Sequence, residues 1–177
     1  MSKANNKEFY QKAMYYGTWL GAAWSVMYLL LFAGTANMAA LMICISLFFA
    51  SPVIAVMSAI TYRRRECNDT MSYIQAWIFI FYMYICASML SALVAFIYFR
   101  FFDGGTFFMT LQGMIDESMK LPGADAALTG QLEQTSKILE QTTTADFVWQ
   151  LLSNNLTNTT IFPFILALFA KKSPKTA

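Results

Sequence analysis

Three long stretches of the chain lack Asp, Glu, Lys and Arg, and this absence of charge constrains the fold more than any other feature. The stretches cover 13–62, 70–99 and 147–170 of the 177 residues. An α-helix needs about 20 apolar residues to cross the hydrocarbon core of a membrane. The first stretch is therefore long enough for two membrane spans, and each of the other two is long enough for one.

The composition excludes several classes of soluble protein. Hydrophobic residues make up 58% of the chain and charged residues only 12%, whereas a soluble domain carries roughly 25% charged residues. A chain with so few charges has too little polar surface for a soluble enzyme, and it is too apolar to be disordered. The net charge of +2 is too small to predict a surface that binds nucleic acid.

We predict four transmembrane helices, at 14–33, 38–61, 71–99 and 147–170. The first three lie within 14–100 and are joined by a small polar turn at 34–37 and a loop at 62–70. Helices are expected rather than barrel strands because the apolar runs are continuous and lipid offers no water to the backbone. A cleaved signal peptide is the alternative for the first span, although a second span follows at once. The predicted fold class is an all-α polytopic membrane protein.

Basic residues concentrate on one side of this four-span arrangement. Segments 1–13, 62–70 and 171–177 share that side and carry nine of the twelve Lys and Arg residues. The segment on the other side, 101–146, carries seven acidic residues and two lysines. Because basic loops stay in the cytoplasm, we expect both ends of the sequence to be cytoplasmic and 101–146 to be extracytoplasmic.

Segment 101–146 is too long for a bare connection and contains two amphipathic patterns. Apolar side chains recur at helical spacing over 107–119 and again over 128–139, with charged residues on the opposite faces. The sequence Leu121–Pro122–Gly123 between them interrupts a helix. We predict a two-helix extracytoplasmic hairpin. It either covers the end of the fourth span or offers a docking surface to a partner.

Small residues recur at every fourth position of the first span, at Gly17, Gly21 and Ser25. Residues four apart share one face of a helix, so these three form a shallow groove where another helix backbone can approach closely. Two occupants are open at this point. One is another span of the same chain, and the other is a helix of a partner protein or of a second copy.

The fourth span is polar over 150–160 and apolar over 161–170. The apolar part alone is about 15 Å of helix, which is half of the hydrocarbon thickness. Other helices must therefore shield the polar side chains, or these side chains line a pocket in the outer half of the membrane. They either hydrogen-bond the span to its neighbours or bind or conduct a lipid or small solute. The candidates are Gln150, Asn154, Asn155, Asn158 and Thr159.

One basic cluster follows the second predicted span and consists of Arg63, Arg64 and Arg65. Basic side chains at this position hold the cytoplasmic end of a helix in place, and they attract anionic lipid headgroups by about 1 kcal/mol per residue. We interpret the three arginines as a topology anchor in contact with membrane lipids.

Groups that commonly carry catalysis or bind metals are scarce. The chain has no histidine, its three cysteines are scattered, and the predicted spans contain no charged residue. We therefore predict no catalytic, cofactor-binding or metal-binding residue, and a protein that is not an enzyme. The alternative is an intramembrane enzyme that uses carboxylates near the outer surface, at Asp103, Asp116 and Glu117.

Five short motifs near the ends of the predicted spans carry a family resemblance: Ala13–Gly21, Ser51–Pro52, Tyr62–Arg63, Ser72–Trp77 and Tyr98–Asp103. In them the chain resembles a bacterial family of membrane proteins catalogued as domain of unknown function 4199. The resemblance implies a small inner-membrane protein with four spans and no assigned activity. It also implies a partner, because members are often encoded beside a polyprenyl-phosphate-type glycosyltransferase.

These observations favour a non-enzymatic accessory or scaffold subunit in a membrane. The resemblance implies that the membrane is the bacterial inner membrane and that the role lies in envelope glycan synthesis or lipid-linked glycosyl transfer. The alternative is a protein that binds or transports a lipid or small solute through the polar pocket of the fourth span. The expected partners are membrane lipids and a membrane protein such as a glycosyltransferase. No nucleic acid and no cofactor is expected.

Overall fold

The computed structural model describes residues 3–34, 37–120 and 126–172. Within those ranges the backbone forms six α-helices, and an isolated antiparallel bridge joins Met71 to Lys172. The all-α prediction is confirmed for this part of the chain. The helices are α1 (Lys3–Ala33), α2 (Met38–Glu66), α3 (Tyr73–Phe101), α4 (Thr106–Met119), α5 (Ala126–Gln141) and α6 (Thr144–Ala170).

Three of these helices are long and apolar enough to cross a membrane, as the sequence predicts: Lys7–Ala33 within α1, the whole of α2 and the whole of α3. α1 and α2 extend beyond their predicted spans on the basic side, since α1 begins at Lys3 rather than at residue 14 and α2 ends at Glu66 rather than at residue 61. α3 begins at Tyr73 and ends at Phe101, each two residues after the predicted bound. Large apolar side chains on their surfaces are exposed, with Trp19 at 66% and Phe49 at 68%. Hydrocarbon chains would cover such side chains in a membrane.

α1 lies beside α3 and runs parallel to it. Phe9 contacts Phe79 near the start of both helices, with ring centroids 5.6 Å apart. Phe32 contacts Phe99 near the end of both, with centroids 4.7 Å apart. The two helices therefore stay in contact from one end of the bundle to the other.

The small residues of α1 face α3 at the closest point of this contact. A Cβ atom on Gly17 would lie 2.6 Å from the carbonyl oxygen of Met83, and one on Gly21 would lie 3.0 Å from the Cα atom of Ala87. Ser25 is buried nearby, and its hydroxyl donates to the Gly21 carbonyl oxygen at 2.7 Å. Of the two occupants open for this groove, the structure places a helix of the same chain there, so the groove is not free for a partner.

α6 lies against the other side of α3 and runs antiparallel to it. Phe147 at the start of α6 contacts Phe99 at the end of α3, with centroids 5.3 Å apart. At the opposite end, the Lys172 backbone pairs with Met71 just before α3, through two hydrogen bonds of 2.9 Å. α6 therefore extends over the full length of α3. Because of its polar half, this fourth predicted span is not among the described helices that are apolar enough to cross a membrane.

α2 is the least buried of the three apolar helices. Of its most apolar segment, 17% is buried, compared with 50% for α3. Polar contacts attach it to α1: the Trp24 indole donates to the Ser51 hydroxyl at 2.8 Å, and the Cys44 thiol donates to the Met27 carbonyl oxygen at 3.3 Å. Most of the outer face of α2 remains open to lipid or to another protein.

α4 and α5 occupy the predicted hairpin segment and contact each other, with the Gln112 amide donating to the Ser136 hydroxyl. Phe107 at the start of α4 packs against Phe99 and Phe147, so α4 begins at the end of the bundle where α3 ends and α6 starts. The predicted break at Leu121–Pro122–Gly123 lies outside the described residues. So do the centre of the turn at 34–37 and the segment 173–177.

Candidate ligand-binding site

A cavity of about 320 Å³ lies between the four long helices, near the middle of their length. Its walls are mainly aromatic and apolar, and α1, α2, α3 and α6 all contribute to them. Ligand pockets in proteins are commonly lined in this way, with a few polar groups that fix the orientation of the ligand. The lining residues include Trp24, Tyr28, Ser51, Tyr84, Asn155 and Asn158.

Two hydrogen bonds between helices shape the polar part of this cavity. Trp24 on α1 donates to Ser51 on α2, as described above. The Tyr28 hydroxyl on α1 donates to the Asn155 Oδ1 atom on α6 at 3.0 Å. Both bonds satisfy polar groups that would be costly without a partner in an apolar environment.

A second recess of about 280 Å³ adjoins the cavity on the side where α6 begins. It is the more polar of the two, because Gln150, Asn154 and Asn155 line it together. Tyr28 and Asn155 line both the cavity and this recess. The hydrogen bond between these two residues therefore stands at the boundary between the cavity and the recess.

Asn155 has an unmet hydrogen-bonding capacity. Its side chain is 8% exposed, and its Nδ2 atom is buried without a hydrogen-bond partner in the described part of the chain. Trp77 Nε1 is in the same condition, but Trp77 lines neither the cavity nor the recess. Buried polar atoms are nearly always paired, so an orphaned donor beside a cavity requires an explanation.

The structure brings the five polar candidates together only in part. Gln150, Asn154 and Asn155 share the recess, and Asn158 joins Asn155 in the cavity. Thr159 lines neither, since it is 1% exposed and lies 3.4 Å from the Ser88 hydroxyl of α3. Thr159 therefore attaches α6 to α3, whereas the four amides line the cavity or the recess.

Sequence reasoning missed the partners that α1, α2 and α3 contribute to the cavity. Trp24, Tyr28 and Tyr84 have a polar atom on an otherwise apolar ring, and such side chains find a hydrogen-bond partner when they are buried. Their positions near the middle of apolar helices were a signal that could have been used. Ser51 stands out in the sequence only as part of the Ser51–Pro52 motif of the family resemblance.

The arginine cluster divides into one buried and two exposed side chains. Arg63 is 7% exposed, and its Nη1 atom donates to the Ala170 carbonyl oxygen at 2.6 Å. Its Nε atom donates to the Asp69 carboxylate at 3.0 Å. We expected Arg63 to contact lipid headgroups, but its side chain instead binds the C-terminal end of α6. The last carbonyl groups of a helix lack helical partners and so accept hydrogen bonds from such side chains. Arg64 and Arg65 are exposed.

Two further ion pairs lie at this end of the bundle. Lys172 also pairs with Asp69, and Lys12 of α1 pairs with Glu66 of α2 at 3.1 Å. The hydrogen bond from Lys172, together with the nearby Arg63 charge, lowers the pKa of Asp69 below its ordinary value. The three segments that the sequence predicts to share one side therefore lie together.

The carboxylates of the enzyme alternative do not converge. Asp103 is buried, and it accepts hydrogen bonds from the Gly105 and Phe107 backbone at 3.1 and 3.0 Å, so it caps the start of α4. Asp116 and Glu117 are consecutive residues of α4. Among the residues that the structure describes, no group of three or more His, Cys, Asp or Glu side chains could hold a metal ion.

Comparison with known proteins agrees with the resemblance found in the sequence. One family model, described as "Protein of unknown function (DUF4199)", matches residues 15–172. The match includes all four long helices from the glycine groove of α1 to the end of α6. No curated protein and no solved structure matches the chain. Because the family model covers most of the chain, this protein belongs to the DUF4199 family.

Proposed function

We propose that the protein crosses the membrane four times, with α6 as the fourth span. The support is the pairing of α6 with α3 at both ends, through Phe147 on Phe99 and through the bridge of Lys172 to Met71. A helix held along the whole of a membrane-spanning neighbour traverses the same thickness. Thr159 of α6 is paired with Ser88 of α3 within the bundle. Such pairing makes a polar span tolerable in lipid.

The distribution of charge supports a cytoplasmic location for the end of the bundle that contains Arg63 and Lys172. In a cysteine-free background, we expect a membrane-impermeant maleimide to label Glu133→Cys in intact cells. We expect Arg64→Cys and Lys171→Cys to be labelled only after the membrane is permeabilised. Labelling of Lys171→Cys together with Glu133→Cys in intact cells would show that α6 does not cross.

The proposed biochemical role is the binding of a membrane amphiphile by a protein that is not an enzyme. The observation that carries this role is the cavity, which combines aromatic walls with the hydrogen-bonding groups of Tyr28, Ser51 and Asn155. A hydrocarbon chain gains no energy from water exclusion inside a membrane, so close packing against the aromatic walls must hold it. The amides then supply contacts that bulk lipid does not offer.

The groove of Gly17 and Gly21 no longer supports the accessory-subunit hypothesis, because α3 of the same chain fills it. A partner such as a glycosyltransferase, or a second copy of the chain, would have to use the exposed face of α2 instead. The cavity therefore supports amphiphile binding better than it supports a purely scaffolding role.

Fluorescence quenching by lipids with brominated chains tests the occupancy of the cavity. Trp24 lines the cavity and is 9% exposed, whereas Trp19 is 66% exposed on the outer surface of α1. In a chain whose only tryptophan is Trp24, we expect brominated chains to quench the fluorescence despite this burial. Asn158→Phe is expected to lower that quenching by about half or more, because the added ring takes up space in a pocket near the lower size limit for ligands.

The matched control is Thr157→Phe, which adds the same ring to an exposed position of α6 that lines neither the cavity nor the recess. It should leave the quenching of Trp24 unchanged. A chain whose only tryptophan is Trp19 should be quenched equally with and without either substitution. If Trp19 is quenched and Trp24 is not, the cavity does not admit a lipid chain and the proposed role is wrong.

A further inference from the structure

The cavity and the more polar recess meet at a single pair of side chains. Tyr28 and Asn155 line both, and the hydrogen bond between them is 3.0 Å long. On one side lies the aromatic space beside Trp24. On the other lie the amides of Gln150 and Asn154. An amphiphile, with one apolar part and one polar part, matches this division.

The Asn155 amide has two ends that form hydrogen bonds, and Tyr28 satisfies one of them. The other end, Nδ2, is buried and has no partner among the described residues. An amide and a hydroxyl share a single hydrogen bond here, so one end of the amide stays vacant whichever way the amide is oriented. A ligand oxygen from a hydroxyl, ester or amide group would complete the set.

The electrostatic character of the site limits the headgroup that it can take. None of the described residues that line the cavity or the recess carries a charge. Burial of an ionised phosphate beside neutral amides and aromatic rings would lack a compensating cation. The cavity and the recess present only neutral hydrogen-bond donors and acceptors among their described lining residues. These groups suit a headgroup whose oxygen atoms are uncharged.

We infer that Asn155 holds the polar group of the ligand, and that the ligand is an amphiphile with an uncharged headgroup that carries hydroxyl or carbonyl oxygen. The inference rests on the proposed function and specifies its ligand class. Tyr28 then acts as a positioning residue that fixes one end of the Asn155 amide. Gln150 and Asn154 provide further neutral contacts on the side of the headgroup.

Two lipids with identical brominated chains test the headgroup preference: diacylglycerol, which is neutral, and phosphatidic acid, which is anionic. Each is added in increasing amounts to vesicles of unbrominated phosphatidylcholine that contain the chain with Trp24 as its only tryptophan. Diacylglycerol is expected to reach half-maximal quenching at a mole fraction about tenfold lower, since it can complete the Asn155 hydrogen bond without burial of an ionised phosphate, and one buried hydrogen bond contributes up to roughly that factor.

Variants at the junction separate a ligand contact from a structural role. Asn155→Leu preserves the approximate size of the side chain but removes both hydrogen-bonding ends, so the preference for diacylglycerol should disappear. Tyr28→Phe keeps the Asn155 amide but removes the hydrogen bond that positions it, so the preference should weaken without disappearing. A melting curve of each variant in the same vesicles identifies any that has unfolded. Gln150→Leu tests the contribution of the recess to the headgroup preference, and it leaves the hydrogen bond between Tyr28 and Asn155 intact.

The outcomes separate the inference from the function on which it rests. Equal quenching by both lipids, or a preference that survives Asn155→Leu in a folded chain, would overturn the neutral headgroup while leaving chain binding intact. Failure of both lipids to quench Trp24 would overturn chain binding as well. A preference for diacylglycerol that Asn155→Leu abolishes and Tyr28→Phe only weakens is the expected result.

Discussion

Gly17→Ala is expected to destabilise the protein by about 2 kcal/mol, within the usual range for overpacking of a close contact. The new Cβ would lie 2.6 Å from the Met83 carbonyl oxygen and 2.8 Å from the Cys86 Cβ atom. The first of these neighbours is backbone, so α1 must move away from α3 to make room. Alanine favours a helix by roughly 1 kcal/mol over glycine, which offsets only part of this cost.

Thermal unfolding in detergent measures the effect, with alkylation of the buried thiol of Cys44 as the signal. Gly113→Ala is the matched control, because a Cβ at that position of α4 meets nothing within 4 Å. It should be neutral or raise stability by up to about 1 kcal/mol, since the same helical preference then acts alone. Equal melting temperatures for Gly17→Ala and the unsubstituted chain would contradict the close approach of α1 and α3.

Arg63→Ala is expected to cost about 1.5–3 kcal/mol, the range for a buried hydrogen bond to a charged group. The substitution leaves the Ala170 carbonyl oxygen without the donor that lies 2.6 Å away. It also removes a positive charge from the C-terminal end of α6, where a cation is favourable. The pair with Asp69 adds little to this figure, because that carboxylate is 40% exposed and solvent screens it.

Hydrogen exchange measures this loss at the end of α6. The backbone amides of Lys171 and Lys172 donate to the carbonyl oxygens of Ala167 and Met71, and they should exchange faster in Arg63→Ala. Arg65→Ala removes the same charge from an exposed position and should leave exchange unchanged, with stability within about 0.5 kcal/mol. Unchanged exchange in Arg63→Ala would mean that the guanidinium does not hold the end of α6.

The helices could be predicted from the sequence because exclusion of charge is a property of each segment by itself. A run without Asp, Glu, Lys or Arg marks α1, α2 and α3 regardless of how they pack. The helix ends were less well predicted, as the start of α1 at Lys3 shows. A helix can continue through Lys7 and Lys12 into water. Hydropathy marks only the apolar part of such a helix, so it does not predict where the polar extension begins.

The binding site was predictable only in its chemistry. The run 150–160 identified α6 as the polar helix, but five side chains there were equivalent candidates. Rotation of α6 against α3 buries Asn155 and Thr159 and leaves Asn154 and Asn158 exposed. That rotation depends on contacts made by distant residues, such as Ser88 with Thr159 and Tyr28 with Asn155.

The sequence by itself determined that this is an apolar helical protein with its basic residues gathered at one end, because hydropathy and charge act residue by residue along the chain. Only the tertiary structure decided that Arg63 caps α6, that α3 fills the groove of Gly17, and that Asn155 keeps a vacant donor beside a cavity. Each of these depends on which atoms of separate helices come within a few ångströms of one another. Such distances follow from the packing of the whole bundle, which no local pattern specifies.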